Sequence, residues 1–370
     1  MTPPAQVVHR AGAWWRALAA LESAPRLGAR TAGRDNNVQL LRLVAAVAVV
    51  VFHCYALTDQ WTREPLYRLA PELNLGALGV KMFFVISGFL VTQSWLAHPR
   101  FRTFVASRVL RIYPALIAAT LFTIALAAAS STQPLRAFLG DPLTLDYLWR
   151  TASGVEVRDR LPGAFAANPF PDAVNGSLWT LPIELRLYVG LLAAGLAGLL
   201  ARRRAWIGVV ALGIVVCALW PPPLALALNT APNAVVVLKL ALLFALGSVA
   251  YVWRDAIPLA RSGVLIAVAL VAWDPGGVFR GPLFEPLLAY SILVIAYHPH
   301  WQWPAFNRIG DYSYGLYVYS FPLQQTLVQR VSPWEPLVLF AVALPCALAA
   351  AALSWHVLER PALGLKSRFR

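Results

Sequence analysis

From residue 38 onward the chain alternates between long apolar runs and short polar breaks. A helix needs about 20 mostly apolar residues to cross roughly 30 Å of hydrocarbon. The runs predict ten spans, near 38–57, 76–96, 112–130, 177–200, 205–220, 234–253, 262–273, 283–297, 312–329 and 336–357. The seventh and eighth are short, with Asp274-Pro-Gly-Gly between them. The expected class is all-α: a polytopic integral membrane protein with a cytoplasmic arm over 1–36, a membrane domain over 37–358 and a basic cytoplasmic tail over 359–370.

Composition excludes a soluble globular protein, since 59% of residues are hydrophobic and only 13% charged, with mean hydropathy +0.61. The net charge of +14, from 31 basic and 17 acidic residues, would suggest nucleic acid as partner for a soluble chain. In a membrane protein it follows from basic cytoplasmic loops and from attraction to anionic lipid, so lipid is the expected partner and nucleic acid is not. Cys54, Cys217 and Cys346 lie in separate apolar stretches and have no metal-binding spacing, so no metal is expected. The first 34 residues carry five arginines and no uninterrupted apolar core, which argues against a cleaved signal peptide. Trp14, Trp15, Leu18 and Leu21 suit an interfacial helix instead.

With both termini inside, alternate connections are basic, as the positive-inside rule requires. The inner set is the arm, Arg100/Arg102/Arg108/Arg111, Arg202–Arg204, Arg254/Arg261, Arg308 and the tail with Arg360, Lys366, Arg368 and Arg370. The outer side receives a long connection from about 131 to 176, whose prolines at 134, 142, 162, 169 and 171 are expected to break regular structure. Its Arg136, Arg150, Arg158 and Arg160 run against the rule, which binds long translocated loops only weakly.

Charge inside hydrocarbon costs about 2.5–3.5 kcal/mol per residue, so Arg42, His53, Lys81, Glu184 and Lys239 stand out. Arg42 and His53 are eleven residues apart, three helical turns, and so share one face about 16 Å apart along the axis. Either Arg42 snorkels and His53 caps the span, or the pair is chemical. In the chemical reading His53, with an ordinary pKa near 6.5, takes the proton of an attacking hydroxyl, and Arg42 binds an anionic donor or a developing oxyanion. Glu184 enters from the outer side at a depth comparable with His53, where it either orients the imidazole or pairs with Arg186 or Lys81. Lys239 is given no role. Arg108 and Arg111, three residues apart on one helix side, either grip the phosphates of a nucleotide-bearing donor such as coenzyme A or anchor topology.

Six stretches occur in order along nearly the whole chain. They are Arg42 with His53 after Asn36-Asn-Val-Gln-Leu-Leu; Gly79-Val-Lys-Met-Phe-Phe-Val-Ile-Ser-Gly-Phe-Leu90; Arg108-Val-Leu-Arg111-Ile-Tyr113-Pro114; Ser177-Leu-Trp179-Thr-Leu-Pro-Ile-Glu184; Tyr312-Ser-Tyr-Gly-Leu-Tyr-Val-Tyr-Ser-Phe-Pro322; and Glu359-Arg-Pro361. Together they resemble the membrane-bound acyltransferase 3 family, which transfers acetyl or other short acyl groups to sugar hydroxyls. The resemblance implies a bacterial inner-membrane O-acyltransferase, with acetyl-CoA as donor and a carbohydrate or glycosylated molecule, such as a polysaccharide or lipopolysaccharide, as acceptor. It implies catalytic roles for His53, Arg42 and Glu184, and donor binding by Arg108, Arg111 and Tyr113. Lys81 departs from the acidic or neutral polar residue of many relatives, and Ser320 stands where many have histidine. The sequence ends soon after the tenth expected span, so the extracytoplasmic hydrolase-like domain fused in some relatives is expected to be missing. The rival readings are an acyl-group translocator feeding a separate transferase, and a glycan or small-molecule transporter.

Overall fold

The computed structural model describes residues 24–33, 35–69, 74–219, 234–272, 284–331 and 333–369. The proposed interfacial helix around Trp14 and the Asp274 turn lie outside them. Twelve α-helices of six residues or more occur among the described residues: α1 Val38–Leu57, α2 Leu75–Ala97, α3 Phe101–Ser130, α4 Leu135–Gly140, α5 Pro142–Ser153, α6 Leu181–Leu196, α7 Arg203–Leu219, α8 Ala234–Val252, α9 Arg261–Ala272, α10 Phe284–Tyr297, α11 Ser313–Arg330 and α12 Pro336–Ser354. No strand is present among these residues beyond two isolated bridges.

Helix occupies all ten segments expected to span, but among the described residues six stretches are both long and apolar enough to cross a membrane: Val38–Leu57, Leu75–Ala97, Phe101–Ser130, Gly176–Leu196, Val235–Val252 and Pro336–Phe369. Helices α7, α9 and α10, with 17, 12 and 14 described residues, fall short on length. Helix α11 is long enough but polar, and 13 of its 18 residues are buried. A helix wrapped by protein on every side has no lipid-facing stripe to keep apolar, so α11 can hold Ser320, Gln324 and Gln325.

The chain divides into two compact units. In one, which draws on residues up to Leu41, 84–93 and 199–309, polar side chains tie helices together: Thr92 of α2 donates to Ser248 of α8 at 2.7 Å, and Trp206 of α7 donates to the same hydroxyl at 3.1 Å. The Asn37 amide, just ahead of α1, donates to the Ile295 carbonyl of α10 at 3.1 Å. Lys239 is exposed on α8.

The other unit draws on residues 42–83, 94–198 and 310–370 and contains every residue assigned a chemical role from the sequence. Its core joins α1, α11 and α12 through Ala46, Val50, Leu316, Ala347 and Ala351, and again through Cys54, Leu57, Phe321, Val328, Leu339 and Ala343. Gly79 of α2 lies against the Ala45 carbonyl of α1, so closely that a methyl group there would collide with backbone. Close backbone approach of this kind is how helices gain packing where lipid supplies no hydrophobic drive.

Two expectations are corrected in this unit. The basic stretch 100–114 is no loop but the start of α3, a 30-residue helix that runs through Pro114. The 131–176 connection contains α4 and α5, because Pro134 and Pro142 sit ahead of or at the first helical position, where a missing N–H costs nothing. The Asp141 carboxylate caps α5 by accepting from the Leu143 N–H at 2.9 Å. Phe138, Tyr147, Leu161, Phe165 and Val174 then close a small core against Ile124 and Ala127 of α3. Arg150 and Arg158, which ran against the charge rule, both bind the Asp146 carboxylate, at 2.5 and 2.8 Å, and hold it below the usual carboxylate range.

Candidate active site

Helix α1 is unbroken from Val38 to Leu57, so the three-turn spacing of Arg42 and His53 is real. Both side chains meet the same neighbour. Arg42 reaches Asp311, two residues ahead of α11, and the His53 ring stands edge-on to Phe321 of α11 with centroids 5.0 Å apart. Ten residues separate these partners on the α11 side and eleven on α1, so the two helices run parallel and in step.

At the Arg42 end the charges are paired. One Asp311 oxygen accepts from Arg42 Nη1 and from Arg111 Nη2, both at 2.6 Å. The other accepts from the Ser313 hydroxyl at 2.5 Å and its backbone N–H at 3.3 Å. Burial opposes ionisation of Asp311, but Arg111, Arg42 and the Ser313 hydrogen bonds outweigh it and hold the carboxyl at about 2. Arg111 Nη1 also lies 3.6 Å from Glu359, which is wholly buried and accepts from Ser354 at 3.0 Å. Glu359 ends a π-helical turn, Trp355–Glu359, that breaks the regularity of the chain leaving α12. The Arg111 guanidinium lies 5.7 Å from the centre of the Tyr314 ring and 5.9 Å from that of Trp355.

Beside this network lies a second group. Glu184 accepts a hydrogen bond from Tyr188, one turn on in α6, and its charge acts on Arg42. Arg108 packs over the Tyr188 ring at 5.7 Å and the Phe104 ring at 5.9 Å, and it donates to the Ser107 and Ser94 hydroxyls at 3.3 and 3.5 Å. Among the described residues Arg108 has no carboxylate partner, whereas Arg111 has two. Tyr113 points away from both groups and donates to the Ser153 carbonyl at the end of α5, at 2.9 Å.

The His53 end is different. The imidazole is buried to 9% exposure, and its Nδ1 has no hydrogen-bond partner among the described residues. The structure joins Glu184 to Tyr188 at the Arg42 end rather than to this nitrogen. Phe321 reaches His53 by passing over Gly176, where a Cβ would lie 2.8 Å from the ring and force it aside. That places Asn175 and Ser177 around the same aromatic wall, and Asn175 donates to the Val318 carbonyl of α11 at 2.9 Å.

The sequence reading missed Asp311 as the centre of the charge network and treated Glu359 only as part of a closing motif. A signal existed: two arginines at one level of a membrane protein require nearby acids. Asp311 precedes a span on the side assigned to Arg42 and Arg111.

A helical protein with several apolar helices long enough to cross a membrane belongs among multi-pass membrane proteins. The model of the acyltransferase 3 family, an acyltransferase domain, matches residues 35–356, and the chain belongs to that family and is an acyltransferase. It is similar to an O-acetyl transferase of Shigella phage Sf6, 28% identical over 341 residues that cover 88% of this chain and 96% of the relative. It is also similar to nodulation protein 10 of Rhizobium leguminosarum bv. viciae, 29% identical over 367 residues, covering 91% of this chain and 95% of the relative. No solved structure matches the chain.

Proposed function

We propose that the protein is an O-acetyltransferase of the bacterial inner membrane, moving an acetyl group from acetyl-CoA to a hydroxyl of a carbohydrate or glycosylated acceptor. The observation behind this reading is the in-step pairing of α1 with α11, which gives one helix face a fixed cationic end at Arg42 and a histidine with an open ring nitrogen at His53. The likeness to an O-acetyl transferase favours acetyl as the group, and the motif order favours a sugar as acceptor.

Arg108 holds donor phosphate, since its guanidinium is oriented by rings and hydroxyls but not neutralised. Acetyl-CoA bound there supplies the acyl group as a thioester. Arg42, fixed by Asp311 three helical turns from His53, lies beside the anionic pyrophosphate portion of the donor rather than at the carbonyl under attack. His53 takes the proton of that hydroxyl, the C–S bond breaks, and the departing thiolate is protonated in turn. Arg111 and Tyr113 act by holding Asp311 and α5 in place.

The test is transfer of labelled acetyl from acetyl-CoA to the glycan fraction of cells lacking the gene, by protein reconstituted in lipid. Both His53→Ala and Arg42→Ala are expected to lose transfer while still inserting, with His53→Ala down by about 100- to 10,000-fold. Undiminished labelling by both variants would sink the assignment.

A further inference from the structure

The unit that draws on residues up to Leu41, 84–93 and 199–309 holds a cationic cluster of its own. Its 25–28 stretch runs along the connection that follows α8. The Leu27 N–H donates to the Ile257 carbonyl at 2.9 Å, the Gly28 N–H to that of Arg254 at 2.9 Å, and the Leu259 N–H to that of Pro25 at 2.8 Å. This pairing gathers Arg26, Arg30, Arg254 and Arg261 on two adjoining strips of chain. Asp255, the acid among them, is engaged by Arg203 at 2.8 Å, and none of the four has a carboxylate partner among the described residues.

Arg30 and Arg261 fasten on the same short turn after α10. Arg30 Nη2 donates to Gln302 Oε1 at 3.0 Å, while its Nε has no partner among the described residues. Arg261 Nε donates to His298 Nε2 at 3.2 Å, and the guanidinium lies 5.7 Å from the centre of the Trp301 ring. The other nitrogen of that imidazole, Nδ1, faces the His300 N–H at 3.3 Å. A neutral imidazole accepts at one nitrogen only and a protonated one at neither, so one of the two donors facing His298 goes unserved. Each guanidinium carries five N–H donors. Both are therefore aimed by neutral groups and left with donors to spare, and what completes them is an anion rich in acceptor oxygens, for which the arginine fork suits phosphate.

The surroundings say which phosphate. Arg261 is exposed, and Trp301 and Trp303 on the same turn are 39% and 70% exposed. In a multi-pass protein, exposed tryptophans collect at headgroup level, where phosphate belongs to lipid. We propose that Arg30 and Arg261 bind the phosphate of one anionic phospholipid, with Trp301 and Trp303 against its glycerol and upper acyl region. Arg26 and Arg254 add to the positive field. This is a defined site, distinct from the diffuse attraction that any basic loop has for an anionic leaflet. A lipid held there clamps the segment ahead of α1 to the turn after α10.

The test is native mass spectrometry of the full chain, delipidated in detergent and titrated separately with phosphatidylglycerol, phosphatidylcholine and coenzyme A. The parent is expected to hold one phosphatidylglycerol about tenfold more tightly than phosphatidylcholine. Arg30→Gln and Arg261→Gln should each weaken that binding about tenfold, the worth of one charge-assisted hydrogen bond. Arg204→Gln, the same loss of charge at an exposed position of α7, should leave it at the parent value. Phosphatidylglycerol should also raise the thermal midpoint of the parent and of Arg204→Gln, but not that of Arg261→Gln. Because Arg261 is exposed, the lipid-free midpoint of its variant should match the parent, so the test stands even where Arg30→Gln fails to fold. Equal affinity of the parent for both lipids, parent-like lipid binding by Arg261→Gln, or an equal loss in Arg204→Gln overturns the proposal. Loss of coenzyme A binding with lipid binding intact in Arg261→Gln would make the occupant a nucleotide and overturn it as well.

Discussion

The two ends of the α1–α11 pair obey opposite rules. At the Arg42 end the two buried arginines have found counterparts inside the protein: Arg42 and Arg111 share one Asp311 oxygen, a serine holds the other, and Glu359 lies behind Arg111. At the His53 end an imidazole nitrogen is buried and unpaired among the described residues. A charge left bare in a low-dielectric interior costs far more than a bare neutral group, so the charged end must be complete before any ligand arrives. The neutral end can wait for a substrate to complete it. On the proposed reading, the Asp311 network is pre-organised scaffold and the His53 end receives the acceptor.

The sharpest way to break this contrast is to remove the bridge. Asp311→Asn leaves Arg42 and Arg111 facing each other without their shared anion. The expected loss is about 3–5 kcal/mol of stability, as for other buried pairs cut on one side. It should be seen as a large drop in the thermal midpoint in lipid, with transfer lost as well. The pH response has a definite sign. The folded carboxyl is held at about 2, below an unfolded value near 3.9. Its contribution is therefore complete above about pH 4 and is lost as pH falls through 2. A transfer profile with an acidic limb near neutrality would have to come from another group, and an unchanged midpoint in Asp311→Asn would show that the arginines are held by something else.

A smaller effect separates the two arginines once grouped as phosphate ligands. Arg111 is engaged by two carboxylates, whereas Arg108 lies over rings and hydroxyls. Arg108→Ala should raise the donor KM by about tenfold, roughly the worth of one charge-assisted contact. Acceptor KM and thermal midpoint should hold. Arg111→Ala should show the reverse, a lowered midpoint as the leading change. Equal effects on donor KM from both would return Arg111 to the donor site.

Much of this was readable from the chain alone, for physical reasons that differ by element. The helices at 38–57, 76–96 and 234–253 follow from apolar runs, because lipid-exposed helices must be apolar along their length. Helix α11 is harder to read, since burial by protein rather than lipid frees it to be polar. The three-turn register of Arg42 and His53 is local and survives intact. Their partners are not local: Asp311 is 269 residues from Arg42, and the sequence ties the two only through the need for an acid on the side where the arginines lie. The prolines of the 131–176 connection mislead for a related reason, since a proline at a helix start and one in a breaker look alike until the cap at Asp141 is seen.

The smallest expected effect concerns Tyr113, placed by the motif order among donor-binding residues. Its hydroxyl donates to the Ser153 carbonyl, which ties the middle of α3 to the last residue of α5. Tyr113→Phe keeps the ring and removes one neutral hydrogen bond, worth about 1 kcal/mol. A slight fall in thermal midpoint is therefore expected, with faster hydrogen exchange confined to the end of α5. The donor KM should stay at its parent value, because the phenol faces a backbone carbonyl and not the Arg108 group. A raised donor KM with unaltered exchange in α5 would instead put Tyr113 in contact with the donor, and the line between scaffold and receptor would then have to be redrawn through α3 itself.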